Sequence, residues 1–342
     1  MSETYIDQGL VYTLDSTNNT ATLTGVDDTQ PENATILSSF TKDGVNYNVE
    51  LTGGAFSGNT FLETLIVPPE FTEIPDAFCF SVPGLKSITL QGSNMVIGSS
   101  AFKNSYGLTE FSFDNVKEIK DHAFYGVPIQ HVDLGSNVEL VWGRVFMHSS
   151  LKSIIFSSHP NFTTIPESIC KSSHVESVTI PANVKRIEPG AFTFCGLLST
   201  VTLSSNSQLE QIDGGAFQRC GLTSFTIPAS VTTIGGDIFN SSGNMQEIIF
   251  EHETIPAAGI HGNAFRGLPD TCVIKHGENS YTVSEFFNSL RFTYEGFQYK
   301  FNSGNTATLV GHDGVTNPAT MVPSFINSED GVTYTVVFEG KV

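Results

Sequence analysis

An aromatic residue returns at nearly fixed intervals through most of this chain. Phe56, Phe78, Phe102, Phe124, Phe146, Phe192, Phe217, Phe239 and Phe265 form the series, and Cys170 stands in its sixth slot. The intervals run from 22 to 26 residues, and alanine usually precedes the aromatic. A unit this short cannot bury its own apolar face, so it must stack on copies above and below. The period therefore specifies a solenoid in which equivalent positions of successive units form ladders.

Two further columns keep step. Five residues ahead of the aromatic stand Leu51, Ile97, Ile119, Val141, Ile165, Ile187, Ile212, Ile234 and Ile260. Ile74 lies four residues ahead of Phe78, which reads as a one-residue deletion in that unit. Five to seven residues after each aromatic a strand pattern begins, as in 85–90, 151–156, 175–180 and 222–227. Its inward positions are Ile, Val, Leu or Phe and the alternate ones mostly Ser and Thr, the signature of a half-buried strand. Proline at Pro68, Pro181 and Pro228 closes several of these strands by removing a ladder donor. Between isoleucine and aromatic the chain is rich in Gly, Asp, Pro and Ser, which predicts a tight turn into an irregular or 3₁₀-like far side.

The stretches Ile187 to Cys195 and Leu222 to Ile234 together spell an I-x-x-x-A-F…L-x-x-[IVF]-x-[IL]-P-x-x-V-x-x-I pattern. It resembles the BspA-like leucine-rich repeats, over roughly residues 45–275. The pattern departs at Ile169-Cys170, and at Phe146 and Phe239, which follow Val145 and Ile238; these are apolar-for-apolar exchanges. The resemblance implies a β-rich solenoid, a right-handed leucine-rich-repeat superhelix of about ten units with a parallel sheet, flanked by small β-modules. It also implies a surface or secreted protein that adheres to host or matrix proteins, or to glycans.

The two ends are copies of one another. Tyr12, Leu23, Gly25, Phe40 and Tyr47 correspond to Tyr299, Leu309, Gly311, Phe325 and Tyr334, at an offset of 285 to 287. Four segments are expected: a β capping module at 1–50, the repeat array at 51–275, a closing segment at 276–295, and a second copy of the module at 296–342. A short helix is expected over 284–290 with Ser284 as its N-cap. The second copy stops one residue short of an aromatic slot, which reads either as a fragment of a longer array or as a C-terminal cap.

Acidic side chains number 35 and basic ones 16, a net charge of −19. That balance disfavours nucleic acid and anionic membranes, whose phosphates are held by Lys and Arg. No apolar run approaches the length of a membrane span, so no insertion is expected. The opening residues lack the basic and apolar regions of a signal peptide, which keeps an intracellular interaction scaffold open as the alternative, with a passive spacer in a larger surface protein as a third reading. Five cysteines contain no Cys-x-x-Cys pair; Cys195 and Cys220, three residues past the aromatic, should be neighbours as a small-residue ladder or, less simply, a disulfide. Asn18, Asn33, Asn161 and Asn240 fit the N-glycosylation pattern.

No P-loop, nucleophile elbow, His-Glu-x-x-His or EF-hand loop occurs. His252, His261 and His276 belong to different turns. Binding without catalysis, cofactor or metal is the expectation, by a single copy of the chain. The outward strand face is the surface for it: Glu110, His131 and Asp133 form its most individual spot, continued by Ser153, Ser177 and Thr179. A hydroxyl ladder that merely satisfies itself is the plainer account of that face. Trp142, alone in a variable polar column, is the second candidate contact, unless it only packs on the Lys120 stem.

Overall fold

The computed structural model describes residues 3–256, 259–294, 297–302, 306–312, 324–326 and 333–337. The array is a β-solenoid of about nine turns, and each turn contributes to three walls.

The first wall carries the alternating strands. Asn33–Thr35, Thr64–Val67 and Ser87–Leu90 pair in parallel. His131–Asp133, Ser153–Ile155, Ser177–Ile180 and Thr200–Leu203 form a second parallel group. Ser224–Ile227, Glu247–Phe250 and Val273–His276 form a third, closed by the antiparallel strand Asn279–Thr282. The second wall is the isoleucine column, built from two-to-four-residue strands such as Arg186–Ile187 and Gln211–Ile212. Residues Ile74, Ile97, Ile119, Ile165, Ile187, Ile212 and Ile234 are all buried.

The third wall consists of successive tight turns, and its amides alternate between two uses. In the turn around Phe102, Ala101 and Lys103 donate back to Gly98 and Ser100, while Ser100, Phe102 and Asn104 donate forward to Asp121, Ala123 and Tyr125 of the next rung. The alternation requires two left-handed residues per rung, four apart, such as Ser100 and Asn104 or His122 and Gly126.

This geometry corrects the register of one unit. The left-handed pair Ala77 and Ser81 flanks Cys79, and the Cys79 amide bonds the Ala101 carbonyl, as Phe102 bonds Ala123. Cys79 therefore occupies the aromatic slot, Ile74 is five residues ahead of it, and there is no deletion. Phe78 fills the alanine position instead. Large and small have exchanged places between two adjacent buried columns, which conserves volume where interiors tolerate little change. Ile169-Cys170 makes the same exchange. Elsewhere the rings stack from rung to rung, as for Phe192 on Phe217 at 5.4 Å and Phe217 on Phe239 at 5.8 Å.

Residues Thr4–Leu51 hold a five-stranded sheet beside the first rung. A second five-stranded sheet, from Arg291–Tyr294 to Thr333–Val337, repeats its strand order, with the register shift before Tyr299 matching that before Tyr12. The helix between array and sheet spans Val283–Ser289, and its N-cap is Thr282, not Ser284: Thr282 and Glu285 form a reciprocal capping box. Its Phe286 stacks on Phe250 at 5.2 Å and extends the core past the last rung.

Candidate functional site

The outward face of the first wall is set by strand alternation. In the group from His131 to Leu203, inward Val132, Ile154 and Val178 are buried, so their neighbours must face solvent. Register then fixes who meets whom: His131, Ser153, Ser177 and Thr200 form one row, and Asp133, Ile155, Thr179 and Thr202 the next. His131 Nδ1 lies 2.8 Å from Ser153 Oγ, and Asp133 accepts from the Gly135 amide at 2.9 Å. His131, Asp133, Ser153, Ser177 and Thr179 thus come together on three paired strands. At their centre stands Ile155, 60% exposed. Its signal in the sequence is a branched apolar side chain in a column of Ser, Thr and Asp.

Glu110 sits at the edge of this face, on no strand. The ladder is interrupted at 109–113 because two phenylalanines occupy successive inward positions. The Phe111 ring packs on Phe102 and Phe124 at 5.6 and 4.8 Å, and Phe113 on Phe124 and Phe146 at 5.4 and 6.0 Å. Rings of that size hold the segment off the strand spacing of about 4.8 Å. The interruption leaves a cleft of ≈ 630 Å³ lined by Thr109, Glu110, Phe111, Gln130 and His131.

Trp142 belongs to a different wall. It follows strand Leu140–Val141 of the second wall, half exposed, and its indole Nε1 donates to Glu118 Oε1 of the preceding rung at 2.8 Å. Lys120 Nζ meets Glu73 at 2.9 Å. The two candidate contacts face different directions.

The cysteines are buried thiols. Cys195 and Cys220 stand in neighbouring rungs, and each Sγ donates to a carbonyl of the rung before, Cys170 at 3.0 Å and Phe192 at 3.1 Å. Burial pushes the thiols of Cys79, Cys170, Cys195 and Cys220 up from the ordinary value, and that of Cys272 up to about 11. Groups in that state are poor nucleophiles. His252 and His276 each meet a main-chain carbonyl, of Val231 and His252. Among the described residues no group of three His, Cys, Asp or Glu is placed to hold a metal, and no described helix is long and apolar enough to cross a membrane. Among the described residues the arrangement offers contact surface.

Comparison with known proteins follows the same geometry. The sequence matches the BspA type Leucine rich repeat region in six copies, over residues 37–152, 117–246 and 163–289. A search of curated proteins returns no match. Among solved structures, a leucine rich cell surface protein from Faecalibacterium prausnitzii is similar at 25% identity and a TM-score of 0.54, covering 76% of this chain and 78% of its own. A leucine-rich repeat protein from Bacteroides ovatus is similar in fold at 18% identity and a TM-score of 0.63, covering 79% of this chain and 78% of its own.

Proposed function

The chain belongs to the BspA-type leucine-rich repeat family, and on that premise we propose that it is a non-enzymatic binding module. It works at a cell surface or outside the cell and holds a host or matrix protein, or a glycan, against its first wall. One observation carries the reading. Three paired strands present His131, Asp133, Ser153, Ile155, Ser177 and Thr179 in two straight rows, with an exposed apolar residue at the centre of a lightly charged field. Such a face costs little to desolvate, and its strands are fixed before any partner arrives, so little ordering entropy is lost on binding. The surface location draws support from the similarity to the Faecalibacterium cell surface protein.

The test is capture of partners from matrix and serum proteins by the purified chain. A first-wall variant carrying His131→Glu, Asp133→Lys and Ile155→Glu is run beside it, with Trp142→Ala as a separate variant. The expected result is a partner retained by the native chain and by Trp142→Ala, and lost by the folded first-wall variant. Retention by the first-wall variant and loss by Trp142→Ala would move the site to the second wall. Absence of any partner would remove the adhesive reading.

A further inference from the structure

The stretch of the turn wall that follows the aromatic slot carries a charge pattern opposite to that of the rest of the molecule. In the five residues after the aromatic slot, none of the first nine rungs contains Asp or Glu, in a chain where 35 of 342 residues are acidic. The same band holds Lys103, Lys171, Arg219, His148 and His174.

The cations are organised. Lys103, Tyr125, His148, Lys171, Phe194 and Arg219 follow one another, one per rung, over six consecutive rungs. Lys103 Nζ lies 4.7 Å from the centre of the Tyr125 ring, and Tyr125 meets the His148 ring at 5.4 Å. Lys171 Nζ lies 6.0 Å from the Phe194 ring, and the Arg219 guanidinium 4.9 Å from it. Phe194 is thus approached by cations from the rungs before and after its own. Lys103, Lys171 and Arg219 take part in none of the ion pairs found among the described residues. The rings hold these cations in place by the attraction of a π face for positive charge, while their N–H groups remain available for an anion.

Phe194 adds an independent observation. It takes the left-handed conformation, φ 63°, in a column held mostly by small residues such as Gly58, Ser81, Asn104, Ser172 and Ser241, and also by His148 and Arg219 of the same file. A bulky residue there is strained by about 1–3 kcal/mol, and strain of that kind concentrates at functional positions. Phe194 is 43% exposed, and Leu197 beside it is 54% exposed.

We propose that the cation–aromatic file from Lys103 to Arg219 docks an extended acidic polypeptide segment that also carries apolar side chains. Charge complementarity selects an acidic partner. The exposed Phe194 edge and Leu197 select a polypeptide over a sulfated glycan, which has no apolar side chain to place there. Rungs stack at about 4.8 Å, so Lys103 to Lys171 spans roughly 14 Å and Lys171 to Arg219 roughly 10 Å. An extended chain rising about 3.3 Å per residue matches these with carboxylates four and then three residues apart. This surface is separate from the first wall, and each can fail alone.

The test measures fluorescence polarisation of the full chain with three probes: a labelled twelve-residue peptide with glutamates at that spacing and leucines between, the same peptide with serine for leucine, and heparin. The leucine peptide is expected to bind at least tenfold more tightly than either alternative, and to weaken several-fold as salt is raised. Lys171→Glu with Arg219→Glu should abolish binding. Phe194→Gly should weaken it about tenfold while raising the melting temperature, since glycine relieves the backbone strain; that combination separates loss of the site from loss of the fold. The His131→Glu, Asp133→Lys, Ile155→Glu variant should bind the peptide normally. Tighter binding to heparin, indifference to Lys171→Glu with Arg219→Glu, or no binding by any probe would overturn the proposal. So would self-association in sedimentation that Lys171→Glu abolishes, because the acidic partner would then be a second copy.

Discussion

Ser105 stands one rung beyond Cys79 and donates through Oγ to its carbonyl at 2.6 Å, while accepting from the Val82 amide at 3.1 Å. Ser242 repeats the bond to Phe217 and the Cys220 amide, both at 3.1 Å, and Cys195 and Cys220 make the donating half with sulfur. A buried column of small donors thus ties the backbone of consecutive rungs together.

Ser105→Ala leaves a buried carbonyl and a buried amide without their partner, a loss of about 1–3 kcal/mol. Ser105→Cys should retain most of the stability, because the same position already accepts a thiol in two rungs. Urea midpoints of the two variants check this; equal losses would show that the hydroxyl contributes only volume.

The exchange at Phe78 and Cys79 predicts strong coupling. Phe78→Ala alone opens a cavity worth about 3–5 kcal/mol, and Cys79→Phe alone overpacks by about 1–3 kcal/mol. The double variant restores Ala-Phe and should recover most of both, a coupling of at least about 2 kcal/mol in a double-mutant cycle. Simple additivity of the two losses would refute the shared register.

Alkaline pH should weaken the fold early. The buried thiols, and Tyr12 at about 12, titrate higher in the folded state than in the unfolded chain because burial disfavours their anions. Protons are then bound more firmly by the folded state, so stability is full below about pH 8.5, the ordinary thiol value, and falls as pH rises beyond it. Urea midpoints from pH 7 to 10.5 test this. The decline should be shallower in Cys195→Ser with Cys220→Ser, and an unchanged slope would assign it to other groups.

Ile155→Thr keeps a branched strand former on an exposed row, so its unfolding free energy should stay within about 0.5 kcal/mol of native. Loss of the captured partner with the fold unchanged would place Ile155 in the contact; full retention would remove it.

Period and columns were legible in the sequence because each is a local spacing, whereas the two-to-four-residue strands of the second wall are too short to show an alternation. Phe78 misled because ring identity was followed where the spacing from Ile74 pointed to Cys79. Glu110 reads as a strand position by alternation, yet Phe111 and Phe113 meet rings from other rungs and push the segment out of the ladder. The file from Lys103 to Arg219 was not legible. Its members fall on either the first or the second residue after the slot, and they stand 22 to 25 residues apart in the chain. The Trp142 partner, Glu118, is likewise a full rung distant.

The forward-pointing amides of the turn wall give the molecule an electrical direction. Three files of amide dipoles, through positions such as Ser100, Phe102 and Asn104, all run from the N-terminal rung toward the C-terminal one. One end of that wall is rich in carbonyl oxygen and the other in amide hydrogen. Two rungs can therefore be joined there in only one sense, head to tail, so a whole rung can be inserted or excised without reversing a single bond, while an inverted one cannot be accommodated.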